Sequence, residues 1–278
     1  MMAFDRLSIV LSTHPAQFNA VAYKGDLEAN LVKIASWGYS GVELAIRDPT
    51  LIDADKLQHL ISSTKLEIPA LGTGQAFGEE GLSFTNSDKD TREAAVLRIV
   101  NHIKLAKHFD ATVIIGLIRG ITQLGQSADQ SMFWLIECLE ECMNAADTFQ
   151  VRLALEPLNR YETDMVHTVD EGLELIDQVG SPNLGLLLDT FHMNIEEQSI
   201  EKSIQLAGEH IFHFHVADSN RWYPGAGHLN FVSILDALKS ADYRGWISGE
   251  FMPLPNADTA AHQSLIHLTR CLSHLRPD

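Results

Sequence analysis

Short apolar runs of strand length are separated, from one end of this chain to the other, by segments with a helical period. The runs are "RLSIVLS", "SGVELAI", "EIPALGTG", "TVIIGLI", "VRLALEP", "NLGLLLD", "IFHFHVA" and "GWISGEF". Helical stripes follow each of them, as in "GDLEANLVKIASWG", "DADKLQHLISSTK", "QSMFWLIECLEECMNAADTF" and "DTAAHQSLIHLTRCLSHL", and a capping-box-like "SDKDTREAA" opens the one that runs to about His108. Strands that alternate with helices pair in parallel. Eight such units with no linker or break in composition predict one (β/α)8 barrel domain over residues 1–278. A doubly wound open sheet is the alternative, but no glycine-rich phosphate loop follows the first run.

In such a barrel the reactive groups sit where strands end and the loops to the helices begin. In the second half of the chain four apolar runs end in polar residues: Glu156, Asp189, His215 and Glu250. Residues two apart in a strand share a face, so Ala154 with Glu156, Leu187 with Asp189, His213 with His215 and Ser248 with Glu250 are expected to point inward together. Three carboxylates brought together in a confined mouth repel one another unless a cation neutralises them. The set therefore predicts one divalent ion. Three oxygen donors and one nitrogen favour Mn²⁺ first, with Mg²⁺, Co²⁺ or Zn²⁺ as alternatives.

Composition narrows the partners. Twenty basic residues against 37 acidic ones give a formal charge of −17, and no Lys/Arg cluster offers a nucleic acid a foothold. No run reaches the roughly 18 uncharged apolar residues of a membrane span, and "MMAFDRLSIVLSTHP" reads as a mature cytoplasmic start. Cys138, Cys142 and Cys271 form no CxxC pair and are expected as buried free thiols in a reducing compartment.

The motifs "ALEPLNRYETD", "LLLDTFHMNIEE", "HFHVADSNRWYPGAGH" and "SGEF" resemble those of the sugar isomerase/epimerase group of xylose-isomerase-like barrels, which includes the D-tagatose 3-epimerases. "AIRDP", "LGTGQAFGEEGLS" and "VIIGLIRG" resemble more narrowly the 5-keto-L-gluconate epimerases. The resemblance spans essentially the whole chain. It implies that Glu156, Asp189, His215 and Glu250 are the metal ligands, that Glu156 and Glu250 are also the acid/base pair, and that Glu162, His192 and Arg221 lie near the substrate. A homodimer or homotetramer is implied on the same ground.

The ligand set suggests the chemistry. A ketose held through its carbonyl and a neighbouring hydroxyl has the intervening C–H bond acidified and the enediolate stabilised. Two glutamates on separate strands can take a proton from one face and return one to the other, which inverts the carbon; a single base on one face would favour aldose–ketose isomerisation instead. A metal-dependent nuclease of the endonuclease IV kind would need histidines at the ends of the earlier strands, and "GTGQAF" and "GLIRG" have none. A non-catalytic sugar-binding barrel would need the glutamates blocked.

Arg47, Arg119, Arg160 and Arg221 fall on the mouth side, where a guanidinium suits a carboxylate or phosphate. One of Arg119 and Arg47, Arg119 first, is the expected partner of the carboxylate of a keto sugar acid such as 5-keto-L-gluconate. His14 and Gln75, at the ends of the first and third runs, are candidates for binding hydroxyls, and Phe77, Trp222 and Tyr223 for walling the pocket. His213 is expected to be structural.

Overall fold

The computed structural model describes residues 6–275. The reading of the chain start rests on residues 1–5 and lies outside them. In chain order the elements are β1 (Leu7–Ser12), β2 (Tyr23–Lys24), α1 (Leu27–Trp37), β3 (Gly41–Ala45), α2 (Ala54–Thr64), β4 (Ala70–Gly72), α3 (Gly74–Glu80), α4 (Lys89–Lys107), β5 (Thr112–Ile115) and α5 (Ala128–Phe149). The second half continues with β6 (Leu153–Leu155), α6 (Val169–Val179), β7 (Leu184–Asp189), α7 (Thr190–Glu196), α8 (Ile200–Ala207), β8 (Ile211–Val216), α9 (Phe231–Ser240), β9 (Ile247–Gly249) and α10 (Ala257–His274).

All strand pairings are parallel, in the order β1-β3-β4-β5-β6-β7-β8-β9, and β9 pairs back onto β1. This is the closed eight-stranded barrel that the alternation predicts. The additional two-residue β2 pairs with the top of β1, at Leu11 and Ser12, above the point where β9 stops. No helix among the described residues is long and apolar enough to cross a membrane.

Local chemistry fixes the helix starts. Asp53, Ser127, Thr168 and Ser199 each accept a backbone N–H three residues on, satisfying one of the otherwise orphaned amides of the first turn. In "SDKDTREAA" the cap is Asp88 rather than Ser87, and it accepts from the amides of both Asp90 and Thr91.

Strand alternation divides the core in two. Outward residues such as Leu153, Leu155, Leu186, Leu188, Phe214 and Val216 are buried against the helices. Inward residues Ala70, Ile114, Ala154 and Leu187 form a small separate cluster inside the barrel. The opposite inner wall is polar, with Ser8, Glu43, His213 and Ser248 all buried. That polar wall leads up to the mouth.

Candidate metal centre and active site

Register brings the four strand-end residues together. Asp189 pairs with His215 across β7 and β8, His215 pairs with Ser248 across β8 and β9, and Glu250 follows β9 directly, its amide donating to Val216. Glu156 follows β6 and is anchored by its amide on the Ile115 carbonyl. One donor atom from each of Glu156, Asp189, His215 and Glu250 can be chosen so that all lie within 4.8 Å of one another. Nδ1 of His215 is 3.9 Å from an oxygen of each of the three carboxylates.

Such distances are too long for hydrogen bonds. Glu156 Oε1, Asp189 Oδ2 and His215 Nδ1 are buried without a hydrogen-bond partner, a costly arrangement unless something binds them. Burial, with Glu250 adding repulsion, pushes the Glu156 carboxyl well above the usual range; burial also raises Asp189, and it pushes Glu250 up to about 7. A divalent cation is the group that three oxygens and one nitrogen, so placed, fit.

Asp189 does two jobs with its two oxygens. Oδ1 caps α7 by accepting from Phe191 N at 2.7 Å, and Oδ2 faces the cluster. Gly116, just past β5, leaves Glu156 room: a Cβ there would come within 2.7 Å of Glu156 Oε2, and the carboxylate would have to shift.

His192 sits on α7 rather than in a loop, fully buried, with Nε2 3.8 Å from Glu156 Oε1. Its Nδ1 accepts from the amide and side-chain Nδ2 of Asn159, so the ring hydrogen is on Nε2 and aimed at the site. Burial, with Arg221 beside it, keeps this imidazole neutral. Glu162 accepts from Asn159 at 3.0 Å and from Arg221 at 2.6 Å. Arg221 also lies 3.6 Å from Glu250, and its guanidinium stacks over Phe18 and Phe191.

Of these groups Glu156, Glu162, His192, His215, Arg221 and Glu250 line a cavity of about 560 Å³ at the barrel mouth, together with Gln17, Phe18, Asn19, Thr73, Gln75 and Glu79. Gln75 is in the first turn of α3, not at a strand end, and donates to Ser12 at 2.8 Å. His14 is half-buried, hydrogen-bonded to Thr13 at 3.0 Å, and outside the lining.

The arginine expectations need correction. Arg119 is completely buried, turned away from the cavity, and donates to the backbone carbonyls of Glu156, Met165 and Val166. After Gly116 the chain leaves the strand for a 3-10 turn over Leu117–Arg119, and strand alternation no longer says where its side chains point. Arg47 is paired with Glu79 at 3.0 Å and Glu80 at 3.4 Å, and Arg160 is paired with Glu196 on the surface. Phe77, Trp222 and Tyr223 do not line the cavity; Phe18 does.

Sequence reasoning missed Glu43, a buried carboxylate on β3 whose oxygens meet Nε2 of His215 at 2.9 and 3.1 Å and Nε2 of His213 at 2.8 Å. Its signal was a lone charge within the apolar run "SGVELAI". Burial alone would raise Glu43, but His215 and His213 outweigh it and hold the carboxyl far below the usual range. Burial likewise opposes a charge on His215, yet Glu43 lifts that imidazole to about 10.

The sequence profile described as the xylose isomerase-like TIM barrel matches residues 31–271. The chain belongs to this family. Among its relatives in the xylose isomerase-like family is L-ribulose 3-epimerase of Methylomonas sp. (strain DH-1), 31% identical over 245 residues that cover 84% of this chain and 82% of that protein. Hydroxypyruvate isomerase of Escherichia coli (strain K12) is 29% identical over 237 residues, 82% of this chain and 88% of that protein. The crystal structure of D-psicose 3-epimerase with D-tagatose from Clostridium cellulolyticum H10 shares the fold, with a TM-score of 0.82 at 22% identity over 96% of this chain and 99% of that one.

Proposed function

We propose that this chain, taken as one domain over 1–278, is a divalent-metal-dependent ketose 3-epimerase. The observation that carries the reading is that Glu156 and Glu250, rising from strands β6 and β9 with Asp189 and His215 between them, reach one cavity. Similarity to a ketose 3-epimerase over most of the chain supports it.

Glu156, Asp189, His215 and Glu250 would hold the ion, Mn²⁺ first among the candidates. When bound, such an ion polarises the substrate carbonyl and acidifies the adjoining C–H bond. The protein does the rest. One glutamate removes the proton from that carbon, and the other delivers a proton to the opposite face, leaving the configuration inverted. His192, with its Nε2 hydrogen facing Glu156, is placed to donate to a substrate oxygen between them. Arg221 and Glu162 hold each other in place and offer the next hydroxyl a donor and an acceptor.

A neutral ketose suits the cavity better than the keto sugar acid expected from Arg47 and Arg119. Among the described residues the one arginine in the lining is Arg221, already engaged by Glu162 and Glu250. Gln17, Asn19, Thr73 and Gln75 supply neutral hydrogen-bonding groups around it.

The test is a set of ketoses, keto sugar acids and ketose phosphates incubated in D₂O with the metal-loaded enzyme. Deuterium entering at C3 together with inversion at C3 is the expected result. Exchange that yields an aldose without inversion would replace the epimerase reading with the isomerase one.

A further inference from the structure

We propose that Glu43 is a positioning residue for the metal centre, fixing His215 as the tautomer whose Nδ1 lone pair faces the three carboxylates. The inference rests on the metal reading above.

A carboxylate 1% exposed inside a barrel is expensive to keep. Well-packed apolar residues of similar volume often do as well for stability, so stability is a poor reason for this one. Its contacts give a better one. An ionised carboxylate only accepts, so any ring nitrogen within hydrogen-bond distance of it must carry the hydrogen. Both oxygens of Glu43 lie within that distance of His215 Nε2, at 2.9 and 3.1 Å. A ligating imidazole is neutral, the ion displacing any second proton, and in that ring the lone pair is left on Nδ1, the nitrogen that lies 3.9 Å from Glu156, Asp189 and Glu250 and has no hydrogen-bond partner.

Orientation is fixed by the same contact. His213, one inward position below, donates to the Glu43 Oε2 that also meets His215 and packs edge-on against the His215 ring at 5.2 Å. Glu43, His213 and His215 therefore form a buried brace whose free end is Nδ1. Glu43 itself is not among the four residues clustered at the proposed ion position. A hydrogen-bonded carboxylate behind a ligating histidine fixes its tautomer, and losing such a partner typically weakens metal binding about 10- to 100-fold.

Equilibrium dialysis against Mn²⁺ tests this on the full-length chain. Glu43→Ala should bind the ion at least about tenfold more weakly than wild type, and Glu43→Gln, which keeps one acceptor oxygen, should fall between them. Far-UV circular dichroism and unfolding in EDTA confirm that the metal-free variants are folded. Unchanged affinity in a folded Glu43→Ala overturns the proposal. If wild type binds no ion, the metal reading fails and this inference with it.

A second measurement needs no folded Glu43 variant. In ¹⁵N-labelled wild type loaded with diamagnetic Zn²⁺, long-range ¹H–¹⁵N correlations of the His215 ring, assigned by their absence in His215→Asn, should show the hydrogen on Nε2. A hydrogen on Nδ1 overturns the proposal.

Discussion

The Arg119 guanidinium donates to the backbone carbonyl of Glu156, so a buried cation holds the main chain of a proposed metal ligand from behind. Its other terminal nitrogen donates to the carbonyls of Met165 and Val166 at 2.9 and 3.0 Å, and Val166 has a left-handed backbone (φ 55°) that a β-branched residue rarely adopts. Burial lowers the guanidinium only to about 10, so it remains charged at neutral pH.

Arg119→Ala is therefore expected to act on stability. Val166 keeps the Leu158 amide at 3.2 Å, but taking this donor from the buried carbonyls of Glu156 and Met165 should cost on the order of 3 kcal/mol, measured as a lower urea midpoint. The ratio of kcat/KM for a keto sugar acid to that for a neutral ketose should not change. A fall in that ratio with stability intact would return Arg119 to the substrate.

Glu156→Gln and Glu250→Gln should each reduce epimerisation by about 10²- to 10⁴-fold, because inversion needs both faces served. One of the two variants is expected to retain exchange of the substrate proton with D₂O from its remaining face. Metal content is measured alongside, since both residues are proposed ligands. Normal epimerisation by either metal-loaded variant would remove the two-glutamate mechanism.

The parts of this molecule that were legible in the sequence are those governed by a two-residue period. Apolar runs set the eight strands, and parity within the runs put Glu156, Asp189, His215 and Glu250 on the inner face, where the structure has them clustered. Legibility ends where the backbone leaves the strand. Arg119 lies past Gly116 in a 3-10 turn, and Gln75 and His192 lie on the short helices α3 and α7 inside the loops above the barrel. Glu43 obeys the period but was hidden by its surroundings, since a single acid between Val42 and Leu44 reads as an ordinary strand residue until His213 and His215 are seen across the barrel.

Adding Mn²⁺ should stabilise the fold and EDTA should reverse it. Binding confined to the native state at about 100 times Kd contributes about 2.7 kcal/mol, which for a chain of this size is a rise in Tm on the order of 5–10 °C. Asp189→Asn should lose most of the shift. A Tm indifferent to both additions in wild type would contradict the reading of Glu156, Asp189, His215 and Glu250 as ligands.

The three cysteines should be unreactive while the protein is folded. Cys138, Cys142 and Cys271 are free and buried, and burial pushes the Cys138 thiol up to about 12 and Cys142 well above its ordinary value. The thiolate is the nucleophile, so a raised pKa lowers reactivity at every pH below it. A thiol reagent at pH 8 should be consumed slowly by the native protein and to three equivalents after denaturation. Rapid reaction of a Cys138→Ser, Cys271→Ser variant would mean that Cys142 is accessible.

The balance of charge in the lining sets the last expectation. Among the described residues, Glu43, Glu79, Glu156, Glu162 and Glu250 face the cavity against a single arginine, Arg221. A divalent ion offsets only part of this, and Asp189 adds a further carboxylate beside it. An anionic far end of the substrate would thus meet repulsion on the order of 1–2 kcal/mol at the effective dielectric of a partly buried site, which corresponds to about a tenfold preference for a neutral ketose over a keto sugar acid of equal length. Glu79, 14% exposed at the rim and paired with Arg47 at 3.0 Å, is the carboxylate most easily neutralised without disturbing the four clustered donors. Glu79→Gln should narrow the preference several-fold by raising kcat/KM for the acid, with little change for the neutral sugar, and added salt should narrow it further. If wild type instead turns over the acid faster, Arg221 is the lining guanidinium that must hold the carboxylate, and Arg221→Ala should then abolish the preference for the acid.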